Sequence, residues 1–242
     1  LSTTLTRSIA WVESPSGCMA YTIQVSGLCG GHSGLDINKG LSNAIKLMVR
    51  FLFHFGQDAQ AHLFRLNSGE KHNAIPREAE SGIVISGEDE LLLKEMAERY
   101  ETIYKNELQF TEKDVRLRVN RMNELPSRVF SSDFQSTLVS LLYALHHGVV
   151  AMSHEMPGQV ETSTNLAAVR TLENRVEILT SQRSSVASAI GDCAGKIKAA
   201  GLLAKMEVNQ GNGYPVWQPD LNSRLLKTAK TVYRELYGCD PE

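Results

Sequence analysis

The residues best placed to do chemistry lie in the stretch Gly27-Leu28-Cys29-Gly30-Gly31-His32-Ser33-Gly34. One imidazole stands there among small residues, between a strand-like segment (Met19 to Val25) and a helix-like one (Leu41 to Phe55). Glycines let the backbone turn sharply and let another surface approach closely, so His32 reads as presented rather than packed. Two further items accompany it: the run Asn73-Ala74-Ile75-Pro76-Arg77-Glu78-Ala79, and Arg183 at the junction of a strand and a helix. Taken singly, each has an ordinary reading. The first is a tight turn with an incidental histidine, the second a connection whose Pro76 fixes the backbone, and the third a surface salt bridge.

Nothing else completes an active site. A two-metal hydrolase centre needs clustered histidine and carboxylate ligands, and the histidines here are scattered. His146-His147 falls at a helix end, where a surface or capping role is expected, and His54 and His62 fall on apolar elements where packing is expected. His154 beside Glu155 in a loop is a weak candidate. No GxSxG, phosphate-binding loop or His-Glu-x-x-His occurs.

Bulk composition narrows the class. The chain has 242 residues, 42% hydrophobic and 21% charged, with a net charge of -2, which is ordinary for a globular protein. That charge gives no case for nucleic acid or an anionic membrane as a partner. No apolar run approaches the roughly 20 residues that span a bilayer; the best candidate, Ile45 to Phe55, is interrupted by Lys46, Arg50 and His54. Four cysteines without a CxxC suggest reduced thiols and a cytoplasmic location. The chain starts at Leu1 with nothing resembling a signal peptide, so a processed or excised segment is expected.

The elements that must position these residues follow from periodicity. Tyr21, Ile23 and Val25 alternate with polar neighbours as a strand does, and Leu41, Ile45, Met48, Leu52 and Phe55 recur at helical spacing. Strands at His62 to Leu66 and Ser81 to Ser86, a helix at Glu88 to Leu108 and a strand at Val115 to Asn120 complete the order βαββαβ. A similar order recurs. It has a helix N-capped by Asp133, strands at Val160 to Thr171 and Arg175 to Ser181, a helix at Ser184 to Ala200 and a strand at Leu202 to Val208. The expectation is an α+β fold: a mostly antiparallel sheet with helices on one face, ferredoxin-like in order, in two related halves. Leu221 to Tyr237 reads as a separate amphipathic helix with no partner for its apolar face.

Together, Gly27 to Gly40, Asn73 to Ala79 and Gly213-Tyr214-Pro215-Val216-Trp217-Gln218-Pro219-Asp220 resemble the aminoacyl-histidine dipeptidases, in order and over essentially the whole chain. These belong to the co-catalytic zinc exopeptidases, a family that also includes carnosinases and bacterial carboxypeptidases. The resemblance implies a lid and dimerisation domain over 16–209, preceded by a junction at 1–15 and followed by a return into a catalytic domain at 210–242. It implies that His32 stabilises the oxyanion of the scissile carbonyl, that Asn73 orients the substrate, and that Arg183 holds the substrate carboxylate. It further implies a dipeptide substrate, a homodimer formed through the lid, and two zinc ions whose ligands are absent from this chain. The chain alone is therefore expected to be inactive, and no residue in it is assigned to metal. A stand-alone ferredoxin-like binding module, or the lid of a related zinc amidohydrolase, is the alternative reading.

Overall fold

A computed structural model describes residues 1–213, 220 and 222–241. Strand-forming alternation begins earlier than Tyr21: β1 (Ser2–Ser8) buries Thr3 and Leu5 in the main sheet, and a short β2 (Trp11–Glu13) follows. The first unit then runs through β3 (Met19–Ser26), the two-residue β4 (Gly31–His32), α1 (Ala44–Asp58), β5 (His62–Ser68), the two-residue β6 (Ala74–Ile75), β7 (Ala79–Ile85), α2 (Glu90–Glu107) and β8 (Arg116–Arg121). Next come β9 (Arg128–Phe130), α3 (Ser132–Ala144), β10 (Gly148–Met152), β11 (Val160–Thr171), β12 (Arg175–Ser184), α4 (Ala187–Leu203), β13 (Glu207–Gln210) and α5 (Arg224–Tyr237).

The nine-stranded sheet has the order β13-β1-β12-β11-β5-β7-β3-β8, with β10 also paired to β11. Every strand pair among the described residues is antiparallel. Counted from either edge, the two units mirror each other: β8-β3-β7-β5 meets β13-β1-β12-β11. The second βαββαβ unit is thus β1-α3-β11-β12-α4-β13, and the first unit is inserted after its opening strand. Residues 1–15, expected to be a junction, contribute that opening strand. At the seam Val169 pairs with Ser68, so each unit covers the sheet edge that the other would otherwise leave open.

Apolar spacing explains the packing. α1 buries Ala44, Ile45, Leu47, Met48, Val49, Phe51, Leu52 and Phe55, a stripe wide enough to lie across the sheet and against its neighbouring helices. Phe51 stacks on Phe55 and meets Tyr100 of α2 edge-on. On the other face the β2–β9 ribbon carries Val129 onto a small cluster with Ala20 and Val84. Two glycines permit close approach. Gly27 has φ +79°, and a Cβ there would stand 1.9 Å from the Asp114 carbonyl oxygen; Gly69 has φ +72°, with the Ala167 oxygen 2.0 Å from the same point.

Several boundaries differ from the periodicity reading, each for a local reason. α1 starts at Ala44, after Leu41, because the Asn43 side chain accepts the Ile45 N–H at 2.9 Å and fixes the first turn there. α3 is capped by Ser131, which accepts from Phe134 N–H, and Asp133 lies in the first turn. Leu202 and Leu203 close α4 instead of opening the last strand, which begins at Glu207. α5 is capped by Ser223 and buries no side chain among the described residues. Tyr214 to Pro219 and Leu221 lie outside the described residues. No described helix is long and apolar enough to cross a membrane.

Candidate functional site

His32 is set by a ribbon of two residues per strand. It faces Ala74 across the β4–β6 pair, while Gly31 faces Ile75. Beyond the ribbon, Ser33 N–H donates to the Asn73 carbonyl at 2.9 Å, so Asn73 stands one step from His32. The chain then turns back on itself: Leu35 and Asp36 N–H both donate to the His32 carbonyl, at 3.1 and 2.8 Å. The Asp36 carboxylate in return accepts the His32 N–H at 2.7 Å and pairs with Lys39 at 2.7 Å. Lys39, and after it the His32 N–H, hold this carboxyl below the usual carboxylate range.

The imidazole has a defined polarity. Gly34 N–H donates to His32 Nδ1 at 3.2 Å, which makes Nδ1 an acceptor and places the proton of the neutral ring on Nε2. A half-buried His32 therefore offers an N–H to whatever lies in front of it.

Arg183 arrives from the second unit. It lies near the end of β12, opposite Ser163 of β11, and its side chain is exposed. A Cβ built on Gly34 would stand 3.0 Å from Arg183 Nη1 and 3.1 Å from His32 Cε1. Guanidinium and imidazole thus crowd the same face of one glycine, although 151 positions separate the two residues in sequence. The His32 and Arg183 side chains meet at the junction of the two units, and the Asn73 backbone lies beside them at Ser33. No described ion pair involves Arg183.

A second polar layer lies behind these residues, and periodicity did not single it out. Thr162, Ser163, Thr164 and Asn165 are all buried on β11. Asn43, the cap of α1, also donates to the Leu166 carbonyl at 2.8 Å and lies 3.2 Å from His147 Nδ1. Burial, then the nearby Lys46 ammonium, then His146, lower the His147 pKa to about 4, so this ring is neutral at physiological pH. Lys46 itself donates to the carbonyls of Leu142, Tyr143 and Leu145 at the end of α3. The readable signal was four consecutive polar residues inside a strand otherwise fit for a core. His54 packs, as its position on α1 suggested, with Nδ1 2.6 Å from the Tyr100 hydroxyl.

Among the described residues no three His, Cys, Asp or Glu side chains are grouped as a metal ion requires. The described donors do not fit a zinc centre.

Residues 23–112 match the family model described as "Peptidase dimerisation domain". The chain is 35% identical over 228 residues to the cytosol non-specific dipeptidase of Escherichia coli strain K12, covering 94% of this chain and 47% of that protein. In three dimensions it is similar to the aminoacylhistidine dipeptidase of Vibrio alginolyticus, with a TM-score of 0.94 at 32% identity, over 99% of this chain and 49% of that one. The chain spans about half the length of the relatives it matches.

Proposed function

We propose that this chain, whose residues 23–112 match a peptidase dimerisation domain, is the substrate-covering lid of a dipeptidase acting on Xaa-His and related dipeptides. The supporting observation is the meeting of the His32 and Arg183 side chains at Gly34, with the Asn73 backbone bonded to Ser33 beside them. An imidazole donor and a guanidinium beside one glycine, with Asn73 one residue from that ribbon, suit a dipeptide with a carbonyl to polarise and a carboxylate to hold.

Each residue has a distinct task. His32 donates its Nε2 proton to the scissile carbonyl oxygen as that atom gains negative charge, a contribution on the order of 3 kcal/mol to the transition state. The Asn73 amide orients the substrate beside it. Arg183 grips the terminal carboxylate through parallel N–H donors, which fixes the distance from carboxylate to scissile bond. The two zinc ions implied by the family resemblance, and the base that activates water, belong to residues outside this chain. The chain by itself is then catalytically inert, and the reading assigns the intact protein to the cytoplasm, supported by its similarity to a cytosol non-specific dipeptidase.

The dimer belongs to the same proposal. The β5 edge is already paired with β11 of the same chain, and β8 and β13, which end the main path of the sheet among the described residues, are the edges this reading offers to a second copy. Sedimentation velocity over a range of concentrations tests association; a monomer throughout would remove the dimer from this reading.

The activity is tested by changing His32→Ala in the full-length protein. Turnover of an Xaa-His dipeptide should fall by about a hundredfold or more, with metal content unchanged. Equal loss of metal and turnover would contradict the assigned role.

A further inference from the structure

We propose that Asn165, on β11 of the second unit, is a positioning residue for this site: it fixes the turn carrying Asn73 and, through that turn, the backbone beside His32. This rests on the dipeptidase reading for its catalytic consequence, but not for its geometry.

Asn165 is 1% exposed. Its Nδ2 donates to the carbonyl of Ala74 at 2.8 Å and to that of His72 at 3.3 Å. Those carbonyls flank Asn73 on both sides, so one amide brackets the residue proposed to orient the substrate. The Asn73 carbonyl in turn accepts Ser33 N–H at 2.9 Å, and Ala74 faces His32 across the ribbon. A chain of contacts therefore runs from the second unit through the Asn73 turn to His32.

The ribbon needs such an anchor. Two residues per strand are too few to hold a fixed geometry alone, since even a full isolated hairpin is marginal in water. Its own bonds leave the turn at 71–74 closed only by Ala74 N–H donating to the Lys71 carbonyl at 3.2 Å.

The other end of the Asn165 side chain points to a role beyond packing. Its Oδ1 is buried and has no hydrogen-bond partner. An unsatisfied acceptor in a core disfavours folding, and a leucine, with the same branching but no polar atom, would not carry that penalty. The side chain is accounted for by its two donors, which act on the Asn73 turn.

Asn165→Leu in the full-length protein separates positioning from packing, because it keeps the number and branching of the side-chain heavy atoms and removes both donors and the orphan acceptor. The melting temperature should stay within a few degrees of wild type. kcat on an Xaa-His dipeptide should fall about 10- to 100-fold, with KM within about threefold, as expected when reacting groups are misplaced. Amide exchange at Ser33 should accelerate at least about tenfold, with β3 and β7 unchanged, since local opening becomes easier. Asn165→Ser, which is smaller and keeps one donor, should show the same changes to a lesser degree and serves if the leucine variant does not fold. Wild-type kcat in a folded variant, or unaltered exchange at Ser33, would overturn the proposal. If the wild-type protein hydrolyses no dipeptide, the proposed activity fails, and exchange at Ser33 still decides whether Asn165 fixes the turn.

Discussion

Gly34 N–H donates to His32 Nδ1 across 3.2 Å, so the backbone two residues downstream selects the tautomer of the site imidazole. Nitrogen-15 NMR should find Nδ1 of His32 unprotonated and Nε2 protonated in the neutral ring. The opposite tautomer would remove His32 as the carbonyl donor.

Gly34 also marks where the two units meet. Its Cβ position lies 3.0 Å from Arg183 Nη1 and 3.1 Å from His32 Cε1, so Gly34→Ala forces both groups to shift by a few tenths of an ångström. The guanidinium is the far end of a flexible side chain, and the fold should tolerate the change. Turnover should drop by about tenfold because the reacting geometry is displaced, while the denaturation midpoint stays close to wild type. Full activity in the variant would show that the two groups do not act on one substrate.

Arg183→Lys keeps the charge and loses the fork. KM for a dipeptide should rise by about tenfold, equivalent to about 1.4 kcal/mol, with kcat changed far less. A substrate whose terminal carboxylate is converted to an amide should bind equally poorly to both proteins. If the lysine variant keeps the wild-type KM, the carboxylate is held elsewhere.

His147 should impose a pH dependence on stability. Its folded pKa is about 4, below the ordinary 6.5 of a histidine, because burial disfavours the charged ring. Between those values the unfolded chain binds a proton that the folded chain does not. The contribution is therefore complete above pH 6.5 and is lost as the pH falls toward 4. With the ring partly exposed, about 2 kcal/mol is expected in this window. His147→Leu should flatten the stability profile between pH 6.5 and 4 relative to wild type, as measured by urea unfolding. Parallel profiles would contradict this account.

Asn43→Ala removes both the cap of α1 and the bond to the Leu166 carbonyl. The loss should be about 2 kcal/mol, roughly half from the cap and half from the buried hydrogen bond. It should appear as a lower urea midpoint with an unchanged slope. A change below about 0.5 kcal/mol would mean that the seam is held without this residue.

Much of the molecule was legible in its residues. Alternation at Tyr21, Ile23 and Val25, and the helical recurrence of Ile45, Met48, Leu52 and Phe55, are local facts about which side chains must be buried together, and they yielded the element order of the first unit. The glycine-flanked His32 was legible for a similar reason, because small neighbours leave a side chain presented. The boundaries that shifted, at Asn43, Ser131 and Glu207, did so where a cap or helix end outweighed an apolar side chain.

The opening strand of the second unit was not legible as such. β1 is separated from its own unit by the whole of the first, and nothing in Ser2 to Ser8 states which strands it will pair with. Pairing across such distance is settled by hydrogen-bond register and by which faces are left to bury, which are properties of the assembled sheet.

The sequence by itself therefore determined the kinds of elements and their order within the first unit, because propensity, periodicity and turn chemistry act over a few residues. Only the tertiary structure decided that β5 and β11 join the two units, that Arg183 reaches His32, and that Asn165 holds the turn beside Asn73. Those contacts link residues roughly 90 to 150 positions apart, and burial of both units against one sheet is what makes them neighbours.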